Sequence, residues 1–268
     1  MLGVRGSTPA PGADFVGFGG HTSCIAVSSG ADEAPTLVLD AGTGLRNLSA
    51  HWSFGPFQGA ILLSHLHWDH MQGIPFFVSG DQRDARVQIF LPSQLGLTGE
   101  ELVAQAMAPP AFPITPGGLL GSWSFQAIEP GDYAIEGYSV RAAEVRHKGG
   151  RTFGYRVSDG GVDVAYLPDH VSKGPITPAV EALVRGVDLL IHDAQFLEPE
   201  RALADSYGHS TVDDAIGLAS RLEVHRLMLF HHGPGRTDAQ LDAIAEGLEA
   251  TIPVDVAREG DVVEVVAR

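Results

Sequence analysis

Residues 60–70 read Ala60-Ile61-Leu62-Leu63-Ser64-His65-Leu66-His67-Trp68-Asp69-His70. An apolar run suited to a buried strand ends in four metal-ligand side chains within six positions. In an extended segment, side chains two apart share a face. His65 and His67 can therefore grip one ion. Asp69 and His70, placed after the chain turns, can face a second ion nearby. Neutral imidazole and carboxylate suit zinc, manganese or iron better than a metal that prefers thiolate. Any two of these residues would be ordinary in a surface turn. All four at this spacing behind a strand argue for a metal loop.

Further ligands stand at other strand ends. His147 follows an expected strand over 138–145. Asp169 follows one over 162–167, in Tyr166-Leu167-Pro168-Asp169-His170. His231 follows one over 225–230, in Leu229-Phe230-His231-His232-Gly233-Pro234. A carboxylate can bridge two ions through its two oxygens. Asp169 in that role gives one ion His65, His67, His147 and Asp169, and the other Asp69, His70, Asp169 and His231. A third constellation joins Ile191-His192-Asp193-Ala194-Gln195-Phe196 to Tyr207-Gly208-His209-Ser210-Thr211. Ser210 reads as the N-cap of a helix with Asp213 and Asp214 in its first turn. That reading leaves His209 unexplained. Just outside a helix start, His209 can donate a proton to a leaving oxygen, with Asp193 orienting it. Asp69, His209 and Asp193 are the candidate catalytic residues.

The rest of the chain supplies the frame. Strands are expected at 2–5, 23–28, 36–40, 60–64, 86–91, 122–128, 138–145, 152–157, 162–167, 187–191, 225–230 and 261–266. Helices are expected from Thr43 to His51 and near 98–107, 177–185, 211–221 and 238–249. Strands first, then strand–helix alternation, predict an α/β (α+β) chain of packed sheets with helices outside. There is no internal repeat and no linker, so residues 1–268 are expected to form a single domain. The stretch from Ala108 to Gly118 is the one long irregular segment, open to reading as a lid, a subunit contact or a plain crossing.

The 268 residues are 44% apolar and 19% charged, ordinary for a globular protein, and can bury a full core. The net charge of −16 remains acidic after two divalent ions, which leads to the expectation of no structured RNA or duplex DNA partner. A small phosphate ester could still enter a cationic metal pocket. The single cysteine, Cys24, excludes an internal disulfide and a cysteine-based zinc site. Placed within an expected strand, it reads as an inert core thiol. The cysteine usage, with no signal peptide and no apolar span of membrane length, leads to an expected cytoplasmic location and no membrane partner. The opening Met1-Leu2-Gly3-Val4 looks like a strand already under way, as though the start were clipped.

Together these motifs resemble the metallo-β-lactamase superfamily, and within it the phosphodiesterase branch. That branch includes the tRNA 3′-end processing endonucleases, a phosphonate-pathway cyclic ribose phosphodiesterase and class II-type cyclic nucleotide phosphodiesterases. The resemblance runs from Gly3 to about Asp238. It rests on Val4-Arg5-Gly6-Ser7, Gly19-Gly20-His21-Thr22-Ser23-Cys24, Asp40-Ala41-Gly42-Thr43-Gly44, the His65–His70 motif with Gln72-Gly73, His192-Asp193, Gly208-His209-Ser210-Thr211 and His231. It implies a four-layer αββα sandwich with a dinuclear site at one sheet edge, the ligand assignment above, His209 as proton donor, and a homodimer. Two positions depart from the family. His21 stands where Asn is usual, and His170 where Thr or Ser follows the bridging aspartate; each is read as either a substrate contact or loop filling. The short segment from His147 to Asp169 has room for a hairpin but not for the tRNA-binding arm.

The expected activity is metal-dependent hydrolysis of a small phosphodiester, cyclic ones included. Two divalent ions about 3.5–4 Å apart, zinc foremost and manganese or iron as alternatives, would lower the pKa of water to about 7. Lys148, Arg151 and Arg236 are candidates to steady a phosphate oxygen, or else solvated loop charges. Trp68, Phe76 and Phe77 could stack on a ring of the substrate, or pack the wall of the metal loop. The alternatives are a hydrolase of a lactone, thioester or amide on the same site, and a sensor that binds a nucleotide without turnover. A redox role is disfavoured, because His65-x-His67-x-Asp69 lacks the middle Glu of di-iron relatives and no flavin module is present.

Overall fold

The structure is a computed structural model describing residues 1–30, 33–50 and 54–267. Its elements run β1 (Ile25–Val27), β2 (Leu37–Leu39), α1 (Leu45–Ala50), β3 (Gln58–Leu62), α2 (Trp68–Met71), β4 (Arg86–Pro92), α3 (Gly99–Ala104), β5 (Ser122–Ile128), β6 (Gly131–Ile135), β7 (Tyr138–Val145), β8 (Thr152–Asp159), β9 (Val162–Leu167), α4 (Pro178–Val184), β10 (Leu189–Asp193), α5 (Arg201–Tyr207), α6 (Val212–Arg221), β11 (Leu227–Phe230), α7 (Asp238–Glu246) and β12 (Val254–Val256). One sheet has the order β1-β2-β3-β4-β5. The other runs β12-β11-β10-β9-β8-β7-β6.

Alternation along the strands builds the layers. Leu37, Leu39, Ala60, Leu62 and Phe90 face inward and meet Tyr155, Tyr166, Ile191 and Phe230 of the opposite sheet. Their neighbours Val38, Ile61 and Ile89 face outward and pack with Leu45, Leu48, Leu102 and Val103 of α1 and α3. On the far side, Leu167, Leu190 and Leu229 pack with Leu183 and Leu218 of α4 and α6. The strands are apolar on both faces because both faces are covered. The result is the four-layer αββα sandwich. Full burial of each such side chain contributes about 1.5–3 kcal/mol.

Strand direction then places the site. β9, β10 and β11 are parallel. β7 pairs antiparallel with β8, and β8 with β9, so β7 points the same way as β9. The C-terminal ends of β7, β9, β10 and β11 therefore share one edge, where His147, Asp169, Asp193 and His231 stand.

Several expectations are corrected. The segment expected as a strand at 261–266 gives none. Val263 and Val265 lean on the core while Val262 and Val266 are exposed, yet the segment joins no ladder. The closing strand is β12 instead. Residues 2–5 make only isolated bridges, from Gly3 to Cys24 and from Arg5 to Thr22 and His232. The helix expected to reach His51 is seen to Ala50; His51 lies outside the described residues. β6 and α5 were not foreseen. Cys24 is fully buried, and burial pushes its thiol up, as an inert core thiol requires.

Candidate metal centre

The turn after β3 carries His65 and His67, the latter in extended backbone, and α2 follows with Asp69 and His70. Asp169 lies between the two halves, only 2% exposed. Its Oδ2 is 3.6 Å from His65 Nε2 and 3.4 Å from His147 Nε2. His67 Nδ1 lies 3.4 Å from that same His147 nitrogen. Asp169 Oδ1 is 3.1 Å from both His70 Nε2 and His231 Nε2. Asp69 Oδ2 is 3.2 Å from each of those nitrogens. The structure thus gathers all seven expected ligands into two adjoining groups, each able to hold a cation.

The donor set fits cations better than it fits itself. Buried Asp169 Oδ1 makes no hydrogen bond despite two imidazole nitrogens at contact distance, and buried His65 Nε2 has no partner among the described residues. Such orphaned atoms are costly unless something else meets them. Burial holds His65, His67 and His147 below the usual imidazole range, which keeps them in the neutral, ligating form. Burial opposes the charge on Asp69 and Asp169, but the adjoining histidines hold both carboxyls well below the ordinary range. Burial also opposes charge on His70, yet Asp69, Asp169 and Asp40 raise it well above its usual value. The same carboxylates would favour a cation in place of that proton.

Supporting residues fix the ring orientations. His70 Nδ1 donates to Asp40 Oδ2 at 2.7 Å. Asp40 also accepts from Ser64 N, Ser64 Oγ and Tyr166 Oη at 2.6, 2.8 and 2.8 Å. His147 Nδ1 donates to Gly208 O at 2.7 Å. Asp40 therefore orients the His70 ring, a role that the Asp40-Ala41-Gly42 motif alone does not reveal. Its place directly after β2, parallel to β3, was the available signal. Asp40→Asn turns an amide toward four donors. We expect cation affinity to fall about 10–100-fold, checked by competitive chelator titration.

His231 adopts φ 60°, a conformation L side chains rarely take. Gly6 makes room for it: a Cβ there would lie 2.3 Å from His231 Nδ1.

His209 follows α5, which Gly208 ends in a left-handed turn at φ 83°. His209 Nδ1 donates to Asp193 Oδ2 at 2.8 Å, leaving Nε2 for the cleft. Burial opposes charge on His209, but Asp193 outweighs it and raises the imidazole to about 9. Asp193 also accepts from the backbone of His170 and Gln195 at 3.1 Å each. Ser210 is not the helix cap. Thr211 caps α6 by accepting from Asp214 N, while Ser210 Oγ pairs with Ser172 and the His170 carbonyl. Ser210 thereby pins the Asp169 turn to the His209 turn.

His67, Asp69, His147, Asp169, His209 and His231 line a cleft of about 520 Å³ with Ser7, Leu66, Trp68, Lys148, Gly149 and Tyr207. Arg151 is committed to Glu129 and Glu144, and Arg236 to Glu200, so of the three candidate cations Lys148 alone lines the cleft. Phe77 is buried against Phe57, whereas Trp68 and Phe76 are 67% and 58% exposed. Phe76 meets Phe112 of the long irregular segment edge-on. His21 contacts Thr43 and Glu259. His170 is buried against His192, with Nδ1 and Nε2 3.0 Å apart. Neither lines the cleft.

Residues 36–232 match a family model described as a beta-lactamase superfamily domain. A curated relative named ribonuclease Z, from Natronomonas pharaonis, is 24% identical, the match covering 87% of this chain and 89% of that protein. The structure of YhfI from Bacillus subtilis, a metallo-beta-lactamase fold protein, superposes with TM-score 0.73 at 19% identity, covering 98% of each chain. Human tRNase Z, short form, superposes at 0.65 with 20% identity, covering 99% of this chain and 98% of that one. These names overturn the expectation that structured RNA is excluded as a partner. Net charge is a whole-molecule sum, whereas approach to a cleft is governed by the local potential, which two cations would make positive. The segment between His147 and Asp169 forms the β8–β9 hairpin, but the length of one segment does not decide what could hold RNA. No helix among the described residues is long and apolar enough to cross a membrane.

Proposed function

The chain belongs to the metallo-β-lactamase superfamily, and from that membership we propose that this metal-binding hydrolase cleaves phosphodiesters using two divalent cations. The observation that carries the reading is Asp169. Its two oxygens face two separate groups of imidazoles from within a wall that also holds the His209–Asp193 pair.

The bound cations would supply a nucleophile at neutral pH and charge to offset that of the phosphoryl oxygens. The chain's own residues do the rest. His65, His67, His147 and Asp169 would hold one cation, and Asp69, His70, His231 and Asp169 the other. Asp193 accepts from His209 Nδ1–H and favours the protonated ring, so that the second proton, on Nε2, faces the cleft and can protonate the departing oxygen. A phosphodiester needs such a donor, because an alkoxide is a poor leaving group. Zinc is the favoured cation on ligand chemistry, with manganese or iron compatible. Trp68 and Tyr207 offer exposed rings on the cleft wall for a ring-bearing substituent. Both a small phosphodiester and an RNA 3′ phosphodiester satisfy these requirements, and relatives named ribonuclease Z give the second direct support.

The test is a parallel assay of a bis-aryl phosphodiester, a precursor tRNA and an aryl lactone, before and after dialysis against a chelator. Phosphodiester turnover that vanishes with the metal and returns with zinc or manganese is expected. Lactone turnover alone would move the reading to carbonyl chemistry.

A further inference from the structure

Ser7 stands in the cleft wall beside Asp69, Asp169 and His231, and none of the roles above uses its side chain. Its φ of 63° lies in the left-handed region. That conformation aims its backbone N–H at Asp69 Oδ2, 2.7 Å away, and leaves the residue exposed to the cleft. Gln195 Nε2 donates to Ser7 Oγ at 3.1 Å. An amide nitrogen only donates. Ser7 Oγ therefore accepts this bond, and its own proton meets no acceptor among the described residues.

Gln195 is held in turn. It is buried, and its backbone N–H donates to Asp193 Oδ1 at 3.1 Å. In this orientation Gln195 Oε1 alone lacks a partner. The reverse orientation would strand the buried NH2 instead, and orphaned buried N–H groups are rarer than under-satisfied carbonyls.

Resting on the phosphodiesterase reading, we infer that Ser7 is a further catalytic residue. Its hydroxyl donates a hydrogen bond to a non-bridging phosphoryl oxygen of the substrate, and Gln195 is the positioning residue that fixes the hydroxyl's direction. A donor already aimed where charge builds up needs no reorganisation as the reaction proceeds, which is where such donors are most effective. Asp69, Ser7 and Gln195 form one chain of contacts that links a cation ligand to a substrate contact and then, through Asp193, to the proton donor.

The test is a double-mutant cycle on the metal-loaded protein, with bis(p-nitrophenyl) phosphate as substrate and inorganic phosphate as a calorimetric ligand. Ser7→Ala and Ser7→Gly are both expected to lower kcat/KM by about 10–100-fold and to weaken phosphate binding, with metal content unchanged. Agreement between the two assigns the loss to the hydroxyl, because glycine relaxes the left-handed backbone and alanine does not. Gln195→Met is expected to cost about threefold to tenfold on its own and nothing further in the Ser7→Ala background. Wild-type activity in Ser7→Ala, or loss of metal from it, overturns the inference. So does a Gln195→Met loss of equal size in both backgrounds, which is what mere packing would give. A gain on Gln195→Met would show the amide accepting from Ser7, and overturns it too. A wild-type protein that turns over no phosphodiester defeats the phosphodiesterase reading instead, and the phosphate titration then judges Ser7 separately.

Discussion

Asp169→Ala is expected to abolish hydrolysis, by about 10⁴-fold or more, and to reduce bound metal from two ions per chain to fewer than one. Each of its oxygens faces a different ligand group, so one truncation opens both. The loss also removes the charge that lets five imidazoles and Asp69 gather around one centre. Burial already disfavours protonation of His65, His67 and His147, so the remaining site has little anionic charge with which to hold a cation. Elemental analysis of the purified variant, alongside circular dichroism to verify folding, checks it. Two retained ions would break the bridging assignment.

His209→Ala should behave differently. His209 Nδ1 is engaged by Asp193, and although His209 also lies near Asp169 and His231 it is not one of the seven assigned ligands, so metal content should stay near wild type. Turnover should fall by about 10²–10⁴-fold on an alkyl leaving group, the usual range for a general acid. A p-nitrophenyl leaving group departs without help, so the loss there should be far smaller. Equal losses on both substrates would count against proton donation. The pH profile has a sign. Asp193 raises His209 to about 9, so the proton is present at neutral pH and activity falls as pH rises through that range. Bound cations act in the opposite direction, which places the falling limb at or below pH 9. In His209→Ala that limb should vanish for the alkyl ester.

Much of this arrangement was legible in the chain. The His65–His70 motif and the strand ends before His147, Asp169 and His231 follow from local patterning, and parallel strands bring such ends to one edge. The contacts across the sandwich were not legible. Asp40 and Tyr166 meet at 2.8 Å although they lie on opposite sheets, a contact that no local pattern encodes. Ser210 was misread because Ser and Thr both cap helices. The choice between adjacent Ser210 and Thr211 was decided by the buried partners of Ser210, His170 and Ser172. The valine-rich run at 261–266 was read as a strand because valine favours one, but a strand also needs a neighbour with free backbone groups. The exclusion of RNA failed for a related reason, since total charge carries no information about where the charge sits.

The most direct test is anomalous diffraction from crystals grown with zinc. Two peaks are expected about 3.5–4 Å apart, one within about 2.0–2.2 Å of ligand atoms from His65, His67 and His147, the other equally close to Asp69, His70 and His231, with Asp169 touching both. A single peak, or two peaks with Asp169 bound to neither, would contradict the account.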